Sequence, residues 1–463
     1  MDATSKIPVM DLTSFDETDH SNMDGKGGCD GCQNSRNSTS SAVYGALVII
    51  GYNGQHPDGD KGRRKSYFFL KKRPVPNGVQ PSRRYDLIAK DTNPLLLKEQ
   101  HSVSFTLSRT KTVVVEYSLD EETDMFQIGR SSEPPIDFVV TDIVPGNKQK
   151  LNIHGGVTPS ITQSNSQSGR LPQSTISRFA CRILVERKPP YKARLYAAGF
   201  DSNRKIVLGE KATKWETETG EMDGLTTNGI LLMHPHGSFL AQNSGMCSAG
   251  MWREVSVGGT LFSLRESRSS ANRGERILGE SNELKDGSLI DLCGTTLLWR
   301  SAEGMQNSPS TEAIEKLVDS LNACRPQCPV GLNTLVLPRR GGGTLKDQEN
   351  QPYVYLNCGH VQGSHEWGVG QNPKERKCPI CMKEGKAARL QIGLEAAFYR
   401  DTSALSHAFN PCAHLATEGT VKYWALIPIP HGTKGFIAAC PYCTTPLEGN
   451  PGYVRLIFQD NLD

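Results

Sequence analysis

The sequence predicts a mostly β chain, a β sandwich followed by a smaller α+β domain. Short β-branched and aromatic runs separated by turn residues recur between residues 43 and 303. Glycine (45) and proline (27) are plentiful, as turn-rich β proteins require. Beyond that region the composition shifts, because eight of the 13 cysteines and five of the 11 histidines fall from Cys324 onward. At 463 residues the chain exceeds one ordinary core, since domains run ~100–200 residues.

Residues 1–40 carry seven acidic and three basic residues and almost nothing apolar after Phe15, too little to offset ordering entropy, and read as a disordered tail. The strand candidates begin with Ala46–Ile50, Ser66–Leu70, Val103–Leu107, Thr112–Tyr117, Ile136–Val140 and Cys181–Glu186. They continue with Gly229–Met233, Thr260–Leu264 and Thr296–Trp299, so the β unit spans 41–303. The polar stretch Gly146–Thr175 reads as a long loop. Ser310 then caps a helix with Ile314, Leu317, Val318 and Leu321 on one face, opening a second unit over 304–463 with a core of its own.

Several classes are excluded early. No apolar run approaches the ~20 residues that span a bilayer, and mean hydropathy is -0.45. Met1-Asp-Ala-Thr-Ser-Lys6 lacks a signal-peptide pattern, which argues for a cytoplasmic protein without stable disulfides. A net charge of +3 implies no polyanion partner. The basic cluster Lys61–Arg73, with Tyr67, Phe68 and Phe69 inside it, fits a solvated strand face better than a nucleic-acid patch. There is no His-Glu-x-x-His, Gly-x-Ser-x-Gly or Walker loop to support a hydrolase or nucleotide-binding reading.

The cysteines and histidines repeat. Cys358-Gly-His360 precedes Cys378-Pro-Ile-Cys381, and Cys412-Ala-His414 precedes Cys440-Pro-Tyr-Cys443. A Cys-x-x-Cys turn delivers two sulfurs to one ion, and zinc takes four such ligands in a closed structural site. Eight ligands therefore suffice for two zinc ions and leave no position for a catalytic water; sequential and cross-braced pairings use the same eight. Cys328, in Gln327-Cys-Pro-Val-Gly331, is a ninth candidate, while Cys324 is set aside. Cys29 and Cys32 read as incidental, and Cys181, Cys247 and Cys293 as small buried hydrophobes on strands. His365, His407 and His431 read as loop histidines, not ligands.

These motifs, with Leu356-Asn-Cys-Gly-His360, Pro411-Cys-Ala-His414 and the closing Gly452-Tyr-Val-Arg-Leu-Ile-Phe458, resemble the Pellino family over nearly all of residues 41–463. The resemblance implies a forkhead-associated (FHA) sandwich with a wing extension, into which the basic cluster would fall, followed by a zinc-stabilised RING-like domain. It implies a ubiquitin ligase that places a ubiquitin-loaded conjugating enzyme beside a target and promotes polyubiquitination. The apolar residues Val330, Pro379, Ile380 and Pro441 beside the ligands are candidates to touch that enzyme.

FHA domains read phosphothreonine from loops, and the resemblance assigns that role to Arg130 of Gly129-Arg130, to Ser177 and Arg178, and to Thr227 and Asn228 of Thr227-Asn-Gly229. A guanidinium makes charge-assisted bonds to phosphate, a serine hydroxyl adds a donor, and an asparagine pins the peptide backbone. Ala180 stands where many FHA domains carry a structural histidine, so the Ser177 loop must be braced differently. The expected partners are threonine-phosphorylated interleukin-1-receptor-associated or Pelle-type kinases in Toll-like receptor signalling and innate immunity, with a conjugating enzyme and ubiquitin. The alternative is a non-catalytic phosphopeptide adaptor whose zinc domain only mediates contacts. A zinc-finger nucleic-acid binder is disfavoured, since only Lys422 and Lys434 are basic between Cys412 and Cys443.

Overall fold

Strand Val43–Tyr52 lies inside a seven-stranded sheet and pairs antiparallel with Thr295–Ser301 on one side and Tyr67–Lys71 on the other. The computed structural model describes residues 41–52, 67–88, 99–140, 176–240, 250–337, 351–369, 375–393, 395–431 and 435–459. The tail over 1–40, with Cys29 and Cys32, the loop Gly146–Thr175 and Cys247 lie outside them. Among the described residues, no helix is long and apolar enough to cross a membrane.

The seven-stranded sheet continues through Leu289–Asp291, Ile230–Met233, Arg253–Val255 and Leu261–Phe262. A four-stranded sheet of Phe138–Val139, Thr123–Gly129, Cys181–Glu186 and Ala193–Ala197 packs against it, completing the sandwich. Another four-stranded sheet of Lys205–Leu208, His101–Thr106, Lys111–Asp120 and Gly78–Ile88 extends it. Gly78–Ile88 escaped the sequence reading because it is a largely exposed edge strand with a bulge at Pro81/Arg83, so its residues do not alternate. The described part of the basic cluster falls elsewhere than expected. Tyr67–Lys71 is the outer strand of the sandwich, not part of the extension. Its alternation buries Leu70 and packs the half-buried Phe68 against the sandwich core, while Tyr67 and Phe69 stack at 5.8 Å on the other face.

That other face corrects the expectation of two separate cores. Val48, Ile50, Leu231, Met233, Leu289 and Leu298 project from the seven-stranded sheet into one apolar cluster with Ile314, Val318, Phe398, Tyr399 and Trp424 of the C-terminal half. The central sheet is therefore buried on both faces, and runs such as Ile230-Leu-Leu-Met233 are apolar throughout because neither side meets water. Polar bonds cross the same boundary. The buried Arg300 guanidinium pairs with Asp286 at 3.0 Å and donates to the Ala397 carbonyl at 2.8 Å, Arg400 donates to the Phe239 carbonyl at 2.7 Å, and the Tyr67 hydroxyl donates to Glu395.

The C-terminal half repeats as its cysteines do. Tyr353–Tyr355 and Val361–Gln362 flank the first Cys-x-His turn, and His407–Phe409 and His414–Ala416 flank the second, each pair inside its own four-stranded sheet. Helix Thr311–Ala323 starts as expected: the Ser310 side chain accepts from the Ala313 amide, and Ile314 and Val318 are its buried stripe. Helix Glu418–Ala425 is capped likewise by Thr417 and buries Val421 and Trp424.

Candidate functional site

The Cys-x-x-Cys segments fold into turns of one geometry. In the first, the Cys378 amide donates to the Lys383 carbonyl at 2.9 Å, the Met382 amide donates to the Cys378 carbonyl at 2.9 Å, and Met382 is left-handed with φ 61°. Cys440, Thr444 and Thr445 repeat this at 3.0 and 2.8 Å with φ 60° at Thr444. Such a turn aims both thiols to one side. The facing Cys-x-His segments leave the strand at the left-handed residues Gly359 and Ala413, so that cysteine and histidine meet the thiol pair.

Two tetrads result, Cys358/His360/Cys378/Cys381 and Cys412/His414/Cys440/Cys443, each with its ligand atoms within 4.8 Å of one another. The pairing is sequential, one tetrad per repeat. His360 Nδ1 lies 3.3 Å from Cys358 Sγ and 3.6 Å from Cys378 Sγ. Two ligands held at ~2.0–2.3 Å by one tetrahedral ion stand about 3.6 Å apart, so the spacing fits a bound metal. In the second tetrad His414 Nδ1 is buried and has no hydrogen-bond partner of good geometry among the described residues, and a metal would satisfy it. Burial pushes the Cys440 thiol well above its ordinary range. Hydrogen bonds from Cys412 and Cys440 hold Cys443 well below it. Either tetrad could hold a metal ion, which would displace the remaining thiol protons.

Cys328 joins neither tetrad. Its turn copies the others, with the Cys328 amide donating to Asn333 at 2.9 Å and Leu332 at φ 54°, but Gly331 stands where the second thiol would be. Without that partner the thiol is 1% exposed, packs in the apolar cluster and accepts from the Gly331 amide at 3.3 Å. Cys181 is the buried hydrophobe expected, whereas Cys293 is not on a strand: it is half-buried in a turn at φ 64°. His365 and His407 join no tetrad, and His407 is on a strand and bonded to Ser406, not in a loop.

The turn tips separate the conjugating-enzyme candidates. Val330 and Ile380 are exposed, with Leu332 and Met382 beside them, and Pro379 is half-buried. Pro441 is buried, contrary to its assignment as a contact. Its turn faces the sandwich, where a Cβ on Gly51 would meet the Thr444 methyl at 2.0 Å, and the neighbouring Tyr442 stacks on His414.

Beyond the paired ends of two sandwich strands the structure brings Arg130, Ser177 and Asn228 together. Thr123–Gly129 and Cys181–Glu186 are antiparallel neighbours, so the residues just beyond their paired ends, Arg130 and Ser177, lie side by side. The Arg130 amide donates to the Ser177 carbonyl at 3.2 Å and Arg130 Nε donates to the Ile176 carbonyl at 2.8 Å, which orients the guanidinium. Asn228 Nδ2 donates to Ser177 Oγ at 3.1 Å and supplies the brace that Ala180 cannot. Arg178 and Thr227 are exposed at the rim, Arg178 3.9 Å from Glu133. Two further residues hold the Asn228 loop from behind. Arg265 donates to the Thr226 carbonyl at 2.8 Å and Arg268 to the Gly229 carbonyl at 3.1 Å, their charges neutralised by Glu254 and Asp291. Nothing in Arg265-Glu-Ser-Arg268 marks this role in the sequence.

Comparison with known proteins agrees with this anatomy. A family model described as Pellino, FHA domain, matches residues 35–317, and one described as Pellino, RING domain, matches residues 321–463. The chain is 58% identical over 421 residues to "Protein pellino" of Drosophila melanogaster, covering 91% of this chain and 94% of that one. It is 50% identical over 423 residues to human "E3 ubiquitin-protein ligase pellino homolog 2", covering 91% and 96%. The mouse "E3 ubiquitin-protein ligase pellino homolog 3" is 50% identical over 427 residues, with 91% and 90% covered.

Proposed function

The chain belongs to the Pellino family, and from that premise we propose how its two halves divide the work. The protein is a RING-type ubiquitin-protein ligase. Each of its two tetrads takes one zinc ion, through Cys358, His360, Cys378 and Cys381 and through Cys412, His414, Cys440 and Cys443. Zinc bound there supplies rigidity, since four protein ligands fill its coordination and leave no place for a reacting water. The chain's own part in ubiquitin transfer is proximity and orientation. The exposed tips Val330 and Ile380, with Pro379 at their edge, dock the conjugating enzyme.

The Arg130, Ser177 and Asn228 constellation binds phosphothreonine on threonine-phosphorylated kinases of the interleukin-1-receptor-associated or Pelle type, and the ligase half then promotes their polyubiquitination in the cytoplasm. Arg130 carries the charge, and Ser177 and Asn228 fix the phosphate and the peptide backbone. The observation that carries this reading is the presence in one chain of two closed Cys/His tetrads with exposed apolar turn tips and of a braced arginine–serine–asparagine loop cluster. Autoubiquitination by the full chain with a panel of conjugating enzymes tests it. Ubiquitin transfer with at least one enzyme, lost in Ile380→Ala with zinc retained, is expected. Phosphopeptide binding without transfer from any enzyme would favour the adaptor.

A further inference from the structure

We infer that the N-terminal segment Val9–Asp19 docks on its own chain, laying Leu12 and Phe15 into a cleft walled by Pro235, Met251 and Leu278 and turning its acidic residues toward Lys285. The segment precedes residue 35, where the match to the Pellino FHA domain begins. The inference is independent of the phosphothreonine reading.

The cleft opens at the end of the seven-stranded sheet where the chain enters it. Met233 is paired with Leu289, Leu289 with Leu298, and Ser301 with Gly45, while Leu232 is paired with Arg253. His234, Met251 and Lys285, each just outside its strand, therefore gather at the end of the sheet where Val43–Tyr52 begins. Three strand spacings of ~4.8 Å, about 14 Å in all, separate Val43–Tyr52 from Ile230–Met233. The 27 residues between Phe15 and Val43 span roughly 90 Å when extended, so reach is not limiting. A tether of such length holds the segment at an effective concentration of about a millimolar, which favours it over a free peptide.

The cleft has a volume of about 280 Å³, and two of its walls are apolar side chains left in water: Met251 is 64% exposed and Leu278 84%. No large apolar side chain among the described residues is more exposed than Leu278. A single water needs ~10–15 Å³ of such space, so there is room for more than one side chain, and covering these walls is favourable. The polar lining sets the sign of the occupant. His234 is spent on Ser288 Oγ and the Ser281 carbonyl, both at 2.8 Å, and Glu280 is paired with Arg253 at 2.6 Å. Lys285 is exposed and makes no ion pair among the described residues, so the uncompensated charge at the mouth is positive. Val9–Asp19 answers both features. It carries Asp11, Asp16, Glu17 and Asp19 with no Lys or Arg, and Phe15 is the only Phe, Trp or Tyr before Tyr44.

The test uses the full chain with photoreactive benzoylphenylalanine in place of Phe15, irradiated at micromolar concentration and mapped by mass spectrometry. Cross-links should fall on Met251, Leu278 or the residues beside them. They should form within one chain, so that a mixture of isotope-labelled and unlabelled protein gives no mixed product. Leu278→Ser should cut the yield at Met251 about fivefold and Lys285→Glu about threefold, with zinc content and autoubiquitination unchanged. Combining Lys285→Glu with Asp16→Lys and Glu17→Lys should restore it. Cross-links that are absent or scattered over the surface, a yield indifferent to both substitutions, or mixed products showing that a second copy supplies the segment would each overturn the inference.

Discussion

Asn228 donates its side-chain amide to the hydroxyl of Ser177 at 3.1 Å, joining two loops 51 residues apart. Because the Ser177 oxygen accepts this bond, its proton is left for the phosphate of the proposed ligand, which Arg130, itself tied to Ile176 and Ser177, would also contact. Losing a guanidinium partner of a phosphate removes on the order of 1.5–3 kcal/mol, roughly ten- to a hundred-fold in affinity. Arg130→Ala should weaken phosphothreonine-peptide binding by that factor, Asn228→Ala by a similar one, and Arg178→Ala by less because its side chain is 65% exposed. Calorimetric titration of the full-length variants with one phosphopeptide checks the ranking; equal affinities for wild type and Arg130→Ala would refute it.

Gly129 shows how closely that loop pair is built. A Cβ there would sit 1.9 Å from the Arg178 carbonyl oxygen, a backbone atom that cannot swing aside. Gly129→Ala should push the loops apart and break the bonds of the Arg130 and Ser131 amides to Ser177 and Arg178. A loss of about 1–3 kcal/mol in unfolding free energy together with loss of phosphopeptide binding is expected, read by denaturant titration and calorimetry.

The two tetrads should fail differently. The full chain should carry two equivalents of zinc. Cys378→Ser empties the tetrad beside the exposed Ile380 and Met382, so ubiquitin transfer should vanish while the sandwich stays folded. Cys440→Ser empties the tetrad whose turn packs on the sandwich at Gly51, so it should also lower the melting temperature of the whole chain. Metal analysis and melting curves of both variants separate the effects; a fully active Cys378→Ser protein would count against the zinc assignment.

What was legible in the sequence is what chemistry forces into it. A metal tetrad needs its ligand types at fixed spacing, so all eight were visible, and the Ser310 cap announced its helix. The loop residues Arg130, Ser177 and Asn228 became readable only through the family pattern, because Gly-Arg and Asn-Gly are common turns. The shared core was hidden for a different reason. A strand buried on both faces reads as one apolar run, and nothing in Ile230-Leu-Leu-Met233 says that Leu231 faces the C-terminal half while Leu232 faces the sandwich. Pro441 differs from its expectation for a similar reason, since its burial leaves no trace in the local Cys440-Pro-Tyr-Cys443 motif.

Arg300 is where the halves are locked together. Its guanidinium is fully buried and bonds Asp286, the Gly304 carbonyl and the Ala397 carbonyl. Removing one partner of a buried ion pair leaves an uncompensated charge and costs about 3–5 kcal/mol. Wild-type protein should unfold in one calorimetric transition, and Arg300→Ala should unfold at lower temperature in two. Two resolved transitions already present in the wild type would argue that the shared core does not couple the halves.

The wing extension carries a pH dependence of its own. His101 lies edge-on to Phe200, with ring centroids 4.7 Å apart, where the extension meets the sandwich. Burial first, and then repulsion from Arg204, Lys205 and Arg182, lowers its pKa from 6.5 to about 4. The unfolded chain therefore binds more protons than the folded one between those values, so stability rises with pH across this window. The contribution of the neutral imidazole is fully present above about pH 6.5 and declines as pH falls toward 4. His101→Gln removes that titration without adding a charge. Denaturant midpoints of wild type and variant, compared near neutrality and at about pH 5, should converge or cross as the medium is acidified, because only the wild type loses stability through this group. A difference between the two proteins that does not change with pH would show that His101 is not protonated preferentially in the unfolded state.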